Sequence, residues 1–352
     1  MTRNLKHLFC IATGSHLFGL ATPTSDVDLK TIYLPEYDSL LLGTAAPQNI
    51  RWGTKESATQ ISTADTIEVE SYPIQKFISD FYSGQVYAIE IAFAAVSGNY
   101  PVLNEEATCM VSKMKINPCC TAMFVALCKI LIDKHLCLKE LGLIDFAQKQ
   151  SKNYRAKANN VLGFQLMYEV LSKVKEGSPS NGKLMLGDFW NQICEHLGGN
   201  VKYSHDPRNI PTIIIGDKVY NGREQVNAAH ERTHDILEKF SKRTRAAADK
   251  KGLDPKAASH ALRIMMEMRN LLRDGKITFP FIGEDLKTLK AIKAGEVPLD
   301  DVDAITEKIG DEIAELLEKV DQDHYRYTLH AEEARVVFDK EMVCLLKKFY
   351  PH

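Results

Sequence analysis

No apolar run in this chain approaches the ~20 residues that a helix needs to cross a bilayer, so a membrane-spanning helix is not expected. The first twenty residues, MTRNLKHLFCIATGSHLFGL, begin basic but lack a continuous apolar core and a small-residue cleavage site, which speaks against a secretory signal. The 8 cysteines include no CxxC pair; Cys119 and Cys120 are adjacent, and Cys128 and Cys137 fall in a helix-like run. Free thiols in a reducing cytoplasm are the expectation, which disfavours disulfides and thiolate-bound zinc. His230 and His234 (HERTH) stand four apart, yet no further ligand cluster follows at metal spacing, so zinc is not expected there either. One-sided charge is missing too. With a formal net charge of -2, the whole molecule is no polyanion binder by total charge, although a local patch acts through its own field. No repeat at solenoid periods occurs, which excludes a solenoid or propeller array.

What is present is an ordinary composition, 45% hydrophobic and 26% charged over 352 residues, enough for about two domains with a sizeable core. The first hundred residues mix strand and helix patterns. HLFCIAT (7–13) reads as a short strand ended by Gly14 and Ser15, and LFGLATPT as a helix start or loop. VDLKTIYLP (27–35) alternates, with Val27, Leu29, Thr31 and Tyr33 on one face and Asp28, Lys30, Ile32 and Leu34 on the other. TIEVESY (66–72) alternates the same way, setting Ile67, Val69 and Ser71 against Glu68, Glu70 and Tyr72. A loop over 43–65 holds a short strand near Ile50–Trp52, and helices are predicted over 74–84 and from Gln85 to Phe93. Helical patterns then dominate, over 119–141, 155–176, 186–197, 225–251, 255–274, 284–294, 299–320 and 331–349. A β-hairpin at 211–222 with Gly-Asp at its turn interrupts them, and GSPSNG (177–182) is a loop by composition. The expected class is therefore α+β: a small mixed-sheet module over 1–100, a helical region with a small β-hairpin over 101–250, and a helical region over 251–352 beside the candidate site.

Residues 14–35, GSHLFGLATPTSDVDLKTIYLP, carry the chemistry. Asp26 and Asp28 flank Val27, and in an extended chain residues i and i+2 point the same way. On its own an Asp-x-Asp is most often a solvated turn. Two carboxylates on one face repel unless a cation lies between them, and hard divalent ions such as Mg²⁺ favour such oxygens while keeping positions for phosphate and water. A third carboxylate on a neighbouring strand would complete the set. Glu68 and Glu70 both lie on the polar face of 66–72, so either could supply it. The Gly14–Ser15 turn offers backbone N–H groups and a hydroxyl that can cradle phosphate oxygens. These parts suit two-metal phosphoryl transfer, in which one ion activates an attacking hydroxyl and the other stabilises departing pyrophosphate.

Further along, Lys256, His260, Arg263 and Glu267 form one helical stripe, opposite Ala258, Leu262, Met265 and Leu272. It reads either as a solvated face with weak ion pairs or as a row gripping phosphate or an RNA backbone. Upstream, KFSKRTRAAADKKGLDPK (239–256) sets seven basic residues against Asp249 and Asp254, either a solvated helix or a polyanion contact. Tyr154, Arg155 and Lys157 could extend such a surface by stacking on a base.

The Gly-Ser turn, spacer and acidic pair of residues 14–35 resemble the signature of the DNA-polymerase-β-like nucleotidyltransferase superfamily. The narrower spelling GSxxFG…SDxDxK…YxP resembles that superfamily's RNA-ligase-associated family. IQKFISDFYSGQVYAIEIAF (74–93), DPKAASHALRIMMEMRNLLRDGKITFPF (254–281) and KAIKAGEVPLDDV (290–302) resemble further segments of it, so the likeness covers about 8–95 and 250–320. The resemblance implies a minimal polymerase-β palm, a short mixed sheet with helices, beside a helical accessory region. It implies transfer of a nucleoside monophosphate from an NTP, with Mg²⁺ or Mn²⁺, to a hydroxyl such as an RNA 3′ end, and a functional link to an RNA ligase. The alternatives are a protein-modifying nucleotidyltransferase and an inactive nucleotide- or RNA-binding module. Carried over residue by residue, Asp26, Asp28 and Glu70 (or Glu68) hold metal, and Gly14, Ser15, Lys30, Lys256, His260 and Arg263 meet the nucleotide.

Overall fold

The computed structural model describes residues 5–41, 49–54, 63–136, 143–177, 183–240 and 254–319, with parts of 336–349. The basic residues from 242 to 251, most of the helix expected over 331–349, much of the 43–65 loop, and the side chains of Tyr154, Arg155 and Lys157 lie outside the described residues. By contacts the chain forms two units, one of residues 1–146, 262–290 and 305–352, the other of residues 147–261 and 291–304. This differs from the expected division at 100 and 250, because long-range packing draws C-terminal segments into the first unit.

In the first unit the alternating segments become a four-stranded mixed sheet. Strands β1 (Lys6–Ala12), β2 (Val27–Leu34), β3 (Ile50–Gly53) and β4 (Ile67–Pro73) stand in the order β1-β2-β4-β3. β2 runs antiparallel to β1 and parallel to β4, and β3 is antiparallel to β4. Parallel neighbours need a crossover; the chain between Leu34 and Ile67 supplies it and includes helix α2 (Tyr37–Leu41). The β2–β4 register pairs Val27 with Ile67, Asp28 with Glu68, Leu29 with Val69 and Lys30 with Glu70.

That register separates the faces. Ala12, Val27, Leu29, Ile67 and Val69 are buried together with Ala107 and Met114, and Leu103, Met110 and Val111 pack against them. Fully burying one such aliphatic side chain contributes roughly 1.5–3 kcal/mol. Helix α5 (Glu105–Lys113) covers this face; it starts where the Asn104 side chain accepts from the Ala107 N–H. The sequence pattern did not reveal this helix, since its single buried residue, Ala107, leaves no apolar stripe. On the alternate face the ring of Phe9 stacks on Phe124 at 5.0 Å, and Phe77 tilts against Phe124 at 5.2 Å. Those rings come from β1, α3 (Ile74–Tyr82) and α6 (Pro118–His135). Helix α4 (Val86–Ser97) is apolar all round and buried from Ala88 to Ala95. One residue of that buried run is Glu90.

In the second unit, α7 (Leu143–Glu176), α8 (Trp190–Leu197) and α9 (Val226–Lys239) accompany a three-stranded antiparallel sheet, β5 (Lys202–His205), β6 (Pro211–Ile215) and β7 (Lys218–Asn221). The expected hairpin is β6–β7, turning at Gly216 and Asp217 with φ of +61° at Gly216. Strand β5 is an addition: all four of its residues are exposed, so they carry no burial pattern. Phe164, Met167, Leu171, Ile193, Ile213 and Tyr220 lie in the core. Helix α9 ends at Lys239, where Phe240 turns extended; the remainder of the helix expected over 225–251 lies outside the described residues. Helices α10 (Pro255–Asp274), α11 (Gly283–Ala294) and α12 (Leu299–Lys319) follow at almost the predicted bounds. Among the described residues no single helix is long and apolar enough to cross a membrane.

Candidate active site

The turn after β1 lies against the start of β2. The Thr13 N–H donates to the Asp28 carbonyl at 2.7 Å, and helix α1 (Gly14–Phe18) begins at the next residue. Gly14 has φ +58°, and a Cβ there would lie 2.6 Å from Asp28 Oδ2. The left-handed backbone favours glycine here, and any larger residue would also have to push the Asp28 carboxylate aside. Asp26 is half-buried just before β2, after a loop in which the Thr22 N–H donates to Ser25 Oγ at 2.9 Å. The Val27 N–H donates to the Thr66 carbonyl at 2.9 Å and so holds this end of β2 to β4.

Across the parallel ladder Asp28 faces Glu68, whereas Glu70 is committed elsewhere. Arg51 Nε donates to Glu70 Oε1 at 2.8 Å, Tyr72 Oη donates to Oε2 at 2.5 Å, and the Asn49 amide also donates to Oε1. Burial alone would raise the Glu70 carboxyl, but the bonds from Tyr72 and Arg51 prevail and hold it below its ordinary value. Lys30 Nζ stands 4.0 Å from Glu70 Oε2 and lies over the rings of Tyr87, at 4.8 Å, and Tyr72, at 5.6 Å. Desolvation pushes the Lys30 ammonium down, against the pull of Glu90, Glu70 and Asp28. The rings of Tyr72 and Tyr87 stack at 4.3 Å, and Tyr87 Oη donates to Asp80.

Arg263 departs most from expectation. It is 4% exposed, so it is not part of a solvated stripe or an open phosphate grip. Its Nη1 donates to Glu90 Oε1 at 2.6 Å and to Glu267 Oε1, and its Cζ lies 3.7 Å above the centre of the Phe18 ring. Helix α10 is buried without a break from Ala261 to Met268, so the polar stripe turns inward and its two charges find partners there. Glu267 Oε2 has no hydrogen bond among the described residues. Burial, ahead of the attraction of Arg263 and the repulsion of Glu90, pushes the Glu267 carboxyl up to about 8. A signal for this trio existed in the sequence: a lone Glu inside VYAIEIAF and another inside IMMEM, each in an apolar helix that must pair its charge.

Lys256 and His260 are exposed on the first turns of α10, which belong to the second unit. No three His, Cys, Asp or Glu side chains among the described residues stand close enough together to hold a metal ion as they are placed. The donor chemistry still suits a hard divalent cation: Asp28 and its ladder partner Glu68 offer oxygen only, Asp26 is two residues upstream, and Gly14 leaves the space beside Asp28 Oδ2 clear of side chain.

No family model matches this chain, and no solved structure matches it significantly. Over 322 residues it is 21% identical to an uncharacterized 38.9 kDa protein in the nrdC-mobD intergenic region of Enterobacteria phage T4, covering 85% of this chain and 86% of that protein.

Proposed function

We propose that the first unit is a polymerase-β-like palm and that the protein is a Mg²⁺-dependent nucleotidyltransferase, moving a nucleoside monophosphate from an NTP to an RNA hydroxyl. The observation that carries this reading is the meeting of Gly14, Asp28 and Glu68: a parallel ladder brings two carboxylates into register beside a turn whose glycine gives way to one of them. Asp26, Asp28 and Glu68 would hold the metal; Mn²⁺ would suit the same oxygens. When bound, the ions supply charge stabilisation for the triphosphate and lower the pKa of the attacking hydroxyl.

The chain's own residues do the rest. The Gly14–Ser15 backbone offers N–H groups to phosphate oxygens without a side chain at Gly14, and the Ser15 hydroxyl adds a donor. The acceptor oxygen attacks the α-phosphorus, the new O–P bond forms as the α–β anhydride bond breaks, pyrophosphate leaves, and the hydroxyl proton passes to solvent. Glu68, rather than Glu70, is the third carboxylate in this reading, because the parallel ladder sets Glu68 opposite Asp28 and Glu70 opposite Lys30. Lys30 and Arg263 support the site from behind, since both are drawn into pairs with carboxylates.

The test is incubation with each α-³²P-labelled NTP, Mg²⁺ and total RNA, beside an Asp26→Ala/Asp28→Ala control. Label on RNA that disappears in the control is expected, with a loss of ~10²-fold or more for Asp28→Asn alone. Label on protein after nuclease treatment would replace RNA by a protein acceptor. NTP binding unchanged by both Asp substitutions, without turnover, would replace the enzyme by a binding module.

A further inference from the structure

The geometry points to Arg263 as a positioning residue: through Phe18 it holds α1, and with it the Gly14–Ser15 turn, against Asp28. This inference rests on reading that turn as the triphosphate cradle. Helix α1 spans only Gly14–Phe18, far below the ~12 residues at which an isolated helix becomes even marginal in water. Its N-cap, Thr13, makes no side-chain capping bond. What holds it is packing on its buried residues, Leu17 and Phe18.

Phe18 is the keystone of that packing. One face of its ring lies under the Arg263 guanidinium at 3.7 Å, and it forms a T-shaped pair with the Phe279 ring at 5.7 Å. The Phe18 carbonyl accepts from the Phe281 N–H at 3.3 Å, and a Cβ at Gly19 would lie 3.0 Å from Pro280. So α1 is held on one side by β2, through Thr13 and Asp28, and on the other by α10 and the segment after it. All of these residues belong to the first unit. A planar cation suits this position because a guanidinium stacks on a ring while its N–H edge binds carboxylates, which an ammonium does not reproduce. Glu90 and Glu267 orient the plane. A simple core residue would fill the volume without setting an oriented plane above the Phe18 ring.

The test compares wild type, Arg263→Lys and Arg263→Met/Glu90→Gln. The double variant removes the cation together with the Glu90 carboxylate, and a thermal melt selects folded protein for the comparison. Hydrogen exchange over residues 13–20 and steady-state kinetics with Mg²⁺ and each NTP are measured on the full chain. Expected in the double variant is exchange at those amides faster by roughly tenfold, and a KM for NTP raised by roughly tenfold while kcat holds within about threefold. Arg263→Lys should recover part of both. Asp28→Asn should collapse kcat/KM with exchange at 13–20 unchanged. Folded Arg263 variants with wild-type exchange at 13–20, or with a loss confined to kcat, overturn the inference. If wild type neither binds nor turns over any NTP, the nucleotidyltransferase reading fails, and the exchange data still decide whether Arg263 holds the turn.

Discussion

Two single residues concentrate the physical argument. Gly14 has positive φ and a carboxylate oxygen where its Cβ would be. Gly14→Ala should cost ~1–3 kcal/mol of stability from the left-handed backbone alone, and displace Asp28 as well. Thermal melting should fall and nucleotide transfer should be lost together; an alanine variant with wild-type melting and activity would refute the close approach. Glu267 carries the second argument. Its folded pKa is raised above the unfolded value of 4.5, to about 8, because it is buried beside Glu90. A carboxyl shifted upward stabilises fully below the unfolded pKa, and that contribution is lost as pH rises through the folded one. Between pH 4.5 and 8, stability should therefore decline by about 1 kcal/mol per pH unit from this group. The groups facing it are Arg263 on its own helix and Glu90 on α4, with Lys30 on β2 acting on Glu90 in turn. Glu267→Gln should flatten that slope in urea melts taken across the range; an unchanged slope would show that Glu267 is ionised throughout.

At the scale of elements, the β2–β4 ladder makes a sharp distinction between two glutamates two residues apart. Glu68 is the ladder partner of Asp28, and Glu70 that of Lys30. Glu68→Gln should lower kcat by ~10²-fold, as expected when charge at the reacting phosphates is lost. Glu70→Gln should instead weaken the β3–β4 edge, by roughly 1–3 kcal/mol, since it removes the charge that Arg51 and Tyr72 bind. Kinetics and melts on the two variants separate these roles, and the reverse outcome would restore Glu70 as the third carboxylate. In the second unit, the buried Tyr220 hydroxyl lies 2.8 Å from Thr233 Oγ1, which itself donates to the Ala229 carbonyl. Tyr220→Phe should cost ~1 kcal/mol by leaving that oxygen without a donor, measurable in chemical denaturation with transfer activity intact.

For the whole molecule, ligand linkage is the broadest check. Anything that binds the folded chain raises its stability by mass action. Mg²⁺ with the preferred NTP at about a hundred times its Kd should add ~2.7 kcal/mol, read as a rise in melting midpoint. Mg²⁺ alone, or the NTP with chelator, should do much less, and Asp28→Asn should abolish the shift. A rise that persists in Asp28→Asn would place the nucleotide elsewhere.

The strands around the site are legible in the amino-acid pattern, because strict alternation in VDLKTIYL and IEVESY dictates which side chains share a face. That rule alone places Asp28, Lys30, Glu68 and Glu70 on polar faces, and periodicity with proline and glycine ends bounds α10. Which carboxylate stands beside Asp28 is not legible there. Alternation fixes a face and leaves the offset between two strands free, so only the parallel register could choose Glu68 over Glu70. The inward turn of Arg263 is hidden for a similar reason. A charged stripe looks the same from sequence whether it meets water or a buried carboxylate, and Glu90 lies 173 residues away along the chain. Local pattern determined the strands around the site, most helices and their polar faces; the pairing of charges across distant elements, where desolvation makes each partner obligatory, belonged to the tertiary structure alone.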